Sequence, residues 1–254
     1  MSQATPRPSL ALLHGWGLDS RVWDGIAPAL EPHFALTRLQ LPGYPGQPEL
    51  GGPPSVAATV DALLAGLPEQ SLLLGWSLGG QLAQLMAARA PARIRALALV
   101  ATTPCFVSKE DWPHGQPPSL LATFSSTVAA LPASVLPRFA ALINQGDSRA
   151  REISRLLAPL TRPPLAEATT LLRGLEWLAS LDLRPLELKL PHPTLVLHGA
   201  KDPLMPLGAA QWLADSLPQG QLTIFPEAAH TPFLHDPEGF VRQLVDWAKA
   251  LPTP

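Results

Sequence analysis

The sequence predicts an α/β protein built on one mostly parallel sheet with helices on both faces. Short, continuously apolar runs bounded by turn residues alternate along the chain with longer segments in which apolar residues recur every three or four positions. Continuous apolar runs are typical of parallel strands, which are buried on both faces. The chain has 254 residues, which is enough to close around one large core.

Six apolar runs are predicted as strands and four amphipathic segments as packing helices. The predicted strands are residues 9–14, 34–39, 71–75, 96–101, 194–198 and 222–225. The predicted helices are residues 55–67, 78–90, 208–217 and 237–251.

The alternation of strands and helices stops between residues 112 and 183. Helical patterns interrupted by prolines indicate a helical cap there, inserted after the strand end near Cys105 and lying over one edge of the sheet. We therefore expect one domain, with a core of residues 1–111 and 184–254 and a cap of residues 112–183.

Composition and charge exclude several classes of protein. The 18 basic and 20 acidic side chains give a net charge of −2, so there is no electrostatic reason to expect binding to nucleic acid. No apolar run is long enough for a membrane span, and the first residues lack the pattern of a signal peptide. Cys105 is the single cysteine, so an internal disulfide is excluded. We expect a cytoplasmic protein that binds neither nucleic acid nor membranes.

A G-x-S-x-G motif, Gly-Trp-Ser-Leu-Gly at residues 75–79, lies where the third predicted strand gives way to a helix. This motif requires a sharp strand-to-helix turn that presents the serine hydroxyl. A serine hydroxyl is a weak nucleophile and needs a base that is itself oriented by a carboxylate. Ser77 is therefore the predicted nucleophile, and the chain must also supply an acid and a histidine.

Asp202 and His230 are the predicted acid and base. Asp202 follows the strand at 194–198, and His230 follows the strand at 222–225. Loops after successive strands supply these groups in the order serine, acid, histidine in a fold of this kind. His235 is the reserve candidate for the base, although its position beside Asp236 favours a role at a helix start.

The loop after the first strand, His-Gly-Trp-Gly at residues 14–17, is predicted to supply half of an oxyanion hole. The backbone N–H groups of Trp16 and Leu78 would donate to the developing oxyanion. His14 is interpreted as a structural histidine that holds this loop. Acyl transfer by such a triad implies no metal ion, and no redox cofactor is expected because the glycine pattern of a dinucleotide site is missing.

Five short motifs together carry a resemblance to a known family. They are LLHGWGL at residues 12–18, GWSLGG at 75–80, PCF at 104–106 with WP at 112–113, RF at 138–139 and AAHTPF at 228–233. With these motifs the chain, from about residue 10 to residue 251, resembles the α/β-hydrolases. It is most similar to the pimeloyl-[acyl-carrier protein] methyl ester esterases of biotin synthesis.

The resemblance implies a serine carboxylesterase that hydrolyses the methyl ester of pimeloyl bound to acyl-carrier protein. It implies Ser77, Asp202 and His230 as the triad, with Ser77, His230, Trp16 and Leu78 in contact with the substrate. It also implies a substrate-contacting stretch in the cap, made of Phe139, Ala140, Ala141, Leu142 and Ile143. Arg138, Arg151 and Arg155 match basic positions of the family's cap and imply contact with the acidic carrier protein.

Two features depart from the family. Its members usually begin with an antiparallel strand pair, for which this chain has only residues 1–8, so the first sheet edge is expected to be shortened or absent. One basic position of the family's cap falls near Ser134, so the carrier-protein surface is expected to differ there.

The charge of the insertion has two interpretations. Residues 112–165 contain five arginines against Asp147 and Glu152 and are net +3 in a chain of net −2. Such a segment is either a solvated face or a surface for an anionic partner.

Two other functions remain open from the sequence. One is a small-molecule carboxylesterase, thioesterase or related hydrolase or lyase of the same fold. The other is a non-catalytic ligand-binding protein. A monomer is expected in each case.

Overall fold

The computed structural model describes residues 7–51, 55–187 and 189–252, and in this part of the chain six strands form one sheet. The strands are β1 (Ser9–Leu13), β2 (Ala35–Leu39), β3 (Ser71–Trp76), β4 (Ile94–Val100), β5 (Thr194–Gly199) and β6 (Gly220–Phe225). Their order is β2-β1-β3-β4-β5-β6, and every neighbouring pair is parallel. The predicted fold class is therefore confirmed.

The central strands are apolar because both of their faces are covered. Every residue of β3 and of β5 is buried, as expected of parallel strands between two layers of helices. The order of the strands reverses between β1 and β3. In open α/β sheets such a reversal leaves a crevice at the carboxyl ends of the strands, and ligands bind there.

Eleven α-helices connect or cover the strands in the described residues. They are α1 (Ala27–Leu30), α2 (Val56–Ala65), α3 (Leu78–Arg89), α4 (Pro118–Ala130), α5 (Pro132–Leu142), α6 (Ala150–Leu157), α7 (Ala168–Ser180), α8 (Arg184–Glu187), α9 (Leu207–Ser216), α10 (Pro232–His235) and α11 (Pro237–Ala250). Three short 3-10 helices lie at Ser20–Trp23, Pro91–Arg93 and Ala158–Thr161. Within the described ranges, no helix is both long and apolar enough to cross a membrane.

Local chemistry determines where the long packing helices begin. The Ser55 hydroxyl accepts a hydrogen bond from the Ala58 N–H (3.1 Å) and caps α2. The Asp236 carboxylate accepts from the Gly239 N–H (2.9 Å) and caps α11, where Phe240 and Leu244 lie on the buried face.

Helices α4 to α7 lie between β4 and β5, within the insertion that the sequence predicts. β4 ends at Val100, and Cys105 forms an isolated antiparallel bridge with Asp182. Next to this bridge, the Leu183 N–H donates to the Pro104 carbonyl (2.8 Å). The insertion therefore leaves and re-enters the core at one point.

β1 begins at Ser9, at the start of the described chain. Residues 1–6, on which most of the family's antiparallel pair would fall, lie outside the described residues.

Candidate active site

Ser77 lies at a strained turn between β3 and α3. Its φ is 58° and its ψ is −122°, a combination that costs a non-glycine residue about 1–3 kcal/mol and is found mainly at functional sites. The end of β4 holds the turn, because the Ser77 N–H donates to the Val100 carbonyl (2.9 Å) and the Thr102 hydroxyl donates to the Ser77 carbonyl (2.7 Å).

Glycines on both sides of Ser77 allow the chain to pack closely at this turn. A Cβ at Gly79 would overlap the carbonyl oxygens of Leu13 and His14, and a Cβ at Gly75 would overlap the backbone of Gly79. The G-x-S-x-G spacing is therefore a steric requirement for bringing the end of β1 against the start of α3.

Asp202 and His230 are hydrogen-bonded and buried. The Asp202 Oδ2 is 2.7 Å from the His230 Nδ1, and the two side chains are 0% and 1% exposed. The other carboxylate oxygen of Asp202 accepts from the N–H groups of Leu204 (2.8 Å) and Met205 (2.9 Å), which fixes the acid on its loop.

The His230 Nε2 is buried and has no hydrogen-bond partner in the described part of the chain. The backbone of His230 docks on the residue before the serine, since the Trp76 Nε1 donates to the His230 carbonyl (2.8 Å). The rings of Trp76 and His230 pack with their centroids 5.4 Å apart. Since Nδ1 is occupied by Asp202, Nε2 is the nitrogen left to exchange a proton with another group.

Two further histidines are structural. The His14 Nε2 accepts from the Leu41 N–H (3.1 Å), so the proton of the neutral ring is on Nδ1, which donates to the Gly15 carbonyl (2.8 Å). Burial lowers the pKa of His14 to about 4. Burial also lowers the pKa of His198, whose Nε2 is 2.8 Å from the Met205 carbonyl on the acid's loop. Both imidazoles are thus neutral at pH 7 and hold loops of the site.

The N–H groups of Trp16 and Leu78 follow β1 and β3, on the two sides of the strand reversal. Neither donates to a protein acceptor among the described residues. The loop that carries Trp16 is fixed on its other side, where the Gly17 N–H donates to the buried Tyr44 hydroxyl (2.9 Å). Unpaired N–H groups beside Ser77 are suitable donors for an oxyanion.

A cavity of about 170 Å³ opens beside Ser77. Apart from Ser77 and Gln116 its lining is entirely apolar, and the Gln116 amide is bonded to the Pro203 and Leu204 carbonyls (3.0 and 2.9 Å). The lining residues are Trp16, Ser77, Phe106, Gln116, Leu120, Leu121, Phe124, Phe139, Leu142, Leu175, Leu178, Pro203, Leu204 and Met205. A pocket with this lining suits an uncharged hydrocarbon chain.

The predicted substrate-contacting residues divide into two groups. Trp16, Ser77, Phe139 and Leu142 line the cavity. The other predicted contacts lie outside its lining: Leu78, Ala140, Ile143 and His230 are buried, and Ala141 is exposed. Only one face of α5 meets the cavity, so a continuous run of residues cannot line it.

The sequence did not identify the lining residues from the other elements. Leu120, Leu121 and Phe124 come from α4, and Leu175 and Leu178 come from α7. Their three- and four-residue spacing is a signal of an apolar helix face, but it does not distinguish a pocket wall from an ordinary core contact.

The three arginines predicted for carrier contact are exposed. Within the described ranges, Arg138, Arg151 and Arg155 make no ion pair and no hydrogen bond to a protein acceptor. Arg138 is four residues before Leu142 on α5, so the two share a helix face; Leu142 lines the cavity and is 40% exposed.

His235, the reserve candidate for the base, pairs with Asp147 (2.8 Å) and not with Asp202.

No group of three or more His, Cys, Asp or Glu side chains in the described residues could hold a metal ion.

Comparisons with known proteins place the chain in a family. The family model of the alpha/beta hydrolase fold matches residues 8–237. A protein named pimeloyl-[acyl-carrier protein] methyl ester esterase from Aromatoleum aromaticum is 41% identical over 91% of this chain and 94% of its own, and one of the same name from Nitrosomonas europaea is 38% identical over 92% and 93%. An esterase from Exiguobacterium antarcticum has the same fold, with a TM-score of 0.88 and 20% identity over 97% of this chain and 94% of its own.

The match to the family model and the relatives near 40% identity each cover most of the chain, and they confirm the resemblance found in the sequence. The protein is a carboxylic ester hydrolase that belongs to the α/β-hydrolase fold family and, within it, to the family of the pimeloyl-[acyl-carrier protein] methyl ester esterases.

Proposed function

We propose that this enzyme hydrolyses the methyl ester of pimeloyl carried on acyl-carrier protein and so frees the pimeloyl carboxylate for biotin synthesis. The relatives near 40% identity carry the name of that activity. The observation that carries the proposal is the buried Asp202–His230 pair beside an apolar cavity with Ser77 in its wall.

Ser77 acts as the nucleophile, His230 as the base and Asp202 as the group that orients the base. The Ser77 Oγ attacks the ester carbonyl carbon while the His230 Nε2 takes the hydroxyl proton. The tetrahedral intermediate collapses, the bond to the methoxy oxygen breaks, and His230 protonates this oxygen so that methanol leaves. Water, deprotonated by His230, then attacks the acyl-serine, and the free acid and the Ser77 hydroxyl are released.

The Trp16 and Leu78 N–H groups stabilise the oxyanion in both steps. They lack protein acceptors in the described ranges, which leaves them available to a negative oxygen. Removal of one such donor typically costs about 2.7–4 kcal/mol of transition-state stabilisation.

The size of the cavity fits a medium-length acyl chain. A protein cavity of about 150 Å³ accepts a six-carbon ring, and the cavity beside Ser77 measures about 170 Å³. A seven-carbon pimeloyl chain whose far end continues towards the carrier is therefore a suitable occupant.

Residues 112–183 act as the cap, and its exposed arginines receive the carrier protein. Arg138 lies on α5 and Arg151 and Arg155 lie on α6, and none of them forms an ion pair with another described residue. Arg138 also shares a helix face with Leu142, which lines the cavity. Surface charge of this kind acts mainly on the encounter rate and on the choice of partner.

The enzyme acts as a monomer in the cytoplasm, consistent with one chain supplying the whole site and with a single buried cysteine.

The first test follows the carrier-bound pimeloyl methyl ester by mass spectrometry of the intact carrier. Fast hydrolysis by the wild type and none by Ser77→Ala are expected, with a short nitrophenyl ester measured in parallel. Turnover of the short ester alone would refute the carrier-bound substrate and leave a small-molecule esterase. Failure of a fluorophosphonate probe to label Ser77 would refute the nucleophile.

Charge reversal tests the carrier surface separately. The triple change Arg138→Glu, Arg151→Glu, Arg155→Glu should lower kcat/KM for the carrier-bound ester about tenfold or more and leave the short ester unaffected, because rim charges act on association. A matched control is Lys189→Glu, Arg242→Glu, Lys249→Glu, which reverses three exposed charges outside the cap. Equal losses in the two triple variants would contradict a specific carrier surface.

A further inference from the structure

The cap segment that follows the cavity wall is hydrogen-bonded to the loop that carries His230. The Ile143 carbonyl accepts from the His230 N–H (3.1 Å), and the Ser148 N–H donates to the Glu227 carbonyl (3.2 Å). Residues 143–149, here called the clamp segment, thus contact residues 227–235, here called the histidine loop, through their backbones.

Asp147 of the clamp segment holds the residue before His230. Its side chain is completely buried, and its Oδ2 accepts from the Ala229 N–H (2.8 Å). Its Oδ1 accepts from the Arg149 N–H (2.7 Å) and pairs with the His235 Nδ1 (2.8 Å). A buried carboxylate is costly unless it is bonded in this way, and two of its three partners belong to the histidine loop.

Asn144 holds the residue after His230. It is 0% exposed, and its Oδ1 accepts from the Thr231 hydroxyl (2.7 Å). Its Nδ2 donates to the Ala140 carbonyl one turn earlier (2.8 Å), which fixes the side chain on the cap. The two residues that flank His230 are therefore both held by buried polar side chains of the cap.

We propose that Asn144 and Asp147 are positioning residues for His230, which keep its ring against Asp202 and its Nε2 directed to the serine. This proposal rests on His230 being the base of the proposed function. The clamp segment continues α5, whose residues Phe139 and Leu142 line the cavity, so one continuous stretch of chain forms the acyl wall and sets the position of the base. A misplacement of about 1 Å in a catalytic group can cost about 100-fold in rate.

The test compares variants that remove one clamp hydrogen bond each and keep the shape of the side chain. Thr231→Val removes the hydroxyl that donates to Asn144. Asp147→Asn replaces one of the two carboxylate oxygens by an NH2 group, so either the Ala229 N–H or the His235 Nδ1 loses its acceptor. Each is expected to lower kcat about 10- to 100-fold with KM within about twofold, because binding of the acyl chain is unchanged while the base is displaced. Thr231→Ser, which keeps the hydroxyl, is expected to regain most of the rate.

A spectroscopic readout separates positioning from a loss of fold. The Nδ1 proton in the short His230–Asp202 hydrogen bond (2.7 Å) is expected to give a strongly downfield proton resonance, which is assigned by its disappearance in His230→Ala. This resonance should broaden or vanish in Thr231→Val and Asp147→Asn at temperatures where both are fully folded. The control Asp61→Asn makes the same chemical change in the exposed Asp61–Arg89 ion pair and should keep both kcat and the resonance.

The outcomes distinguish this inference from the function on which it rests. Wild-type kcat in His230→Ala would refute His230 as the base. An inactive His230→Ala together with near-wild-type kcat in Thr231→Val and Asp147→Asn would refute only the positioning. A loss of kcat that follows the folded fraction while the downfield resonance persists would also refute it, because the clamp would then be merely structural.

Discussion

Glu187 is expected to make the stability of the protein fall as the pH rises. It is the last residue of α8, it is 0% exposed, and neither of its carboxylate oxygens has a hydrogen-bond partner in the described ranges. Burial raises the pKa of the Glu187 carboxyl from its ordinary 4.5 to about 8. The perturbation that tests this is Glu187→Gln, which keeps the shape and cannot ionise.

The sign follows from proton binding in the two states. Between pH 4.5 and pH 8 the folded protein retains a proton on Glu187 that the unfolded chain releases, so the free energy of unfolding falls as the pH rises. One pKa unit corresponds to 1.36 kcal/mol. At pH 7 the cost to the folded state is therefore about 3 kcal/mol, which is a large part of the 5–15 kcal/mol that stabilises a typical protein.

Urea unfolding of the wild type and Glu187→Gln at several pH values measures this cost. The advantage of the glutamine variant should grow by about 3 kcal/mol between pH 4 and pH 7, which corresponds to about 6–12 °C in Tm for a chain of this size. The control Glu176→Gln changes an exposed glutamate of α7 in the same way and should show no such growth. A stability difference that stays constant with pH, or that shrinks as the pH rises, would refute the reasoning.

Two further predictions concern the site. Gly79→Ala should slow fluorophosphonate labelling of Ser77 about 10- to 100-fold, since its Cβ would overlap the Leu13 and His14 carbonyls and displace the groups around Ser77. In the control Gly51→Ala the added Cβ meets no atom of the described residues within 4 Å, so labelling should proceed at the wild-type rate. Equal rates in the two variants would contradict the steric argument. Leu120→Gln changes a cavity residue that is 55% exposed and should raise KM several-fold for the pimeloyl ester but not for an acetyl ester. The control is Leu156→Gln, at a comparably exposed residue outside the cavity. An unchanged KM in Leu120→Gln would show that Leu120 does not contact the acyl chain.

The fold could be predicted from the sequence because buried parallel strands leave a strong apolar signal. All six strands lie where predicted to within about two residues, and the differences are local. β4 begins at Ile94 instead of residue 96 because the 3-10 helix Pro91–Arg93 leads directly into it. β6 begins at Gly220 instead of residue 222 because this glycine pairs with Thr194 at the start of β5.

Asp202 and His230 come together because the loops at the carboxyl ends of neighbouring parallel strands meet at one edge of the sheet. The Asp202–His230 contact follows from that rule, while the catalytic roles stay predictions until they are measured. The sequence could not supply the contacts between the cap and the core. Asp147 carries no motif, and its pairing with Ala229 and His235 depends on how the turn between α5 and α6 lies on a segment about 80 residues later.

The bridge between Cys105 and Asp182 closes the insertion at its base. Because the segment between Cys105 and Asp182 leaves and re-enters the core at adjacent points, it can be lengthened, shortened or replaced while the pairing of β4 with β5 is preserved. In evolutionary terms, recombination at this neck could replace the inserted segment, and with it the helices that line the cavity, while the sheet that carries Ser77 is kept. The clamp segment limits such replacement, because a new segment would also have to supply hydrogen bonds to Ala229 and Thr231, the two residues that flank His230.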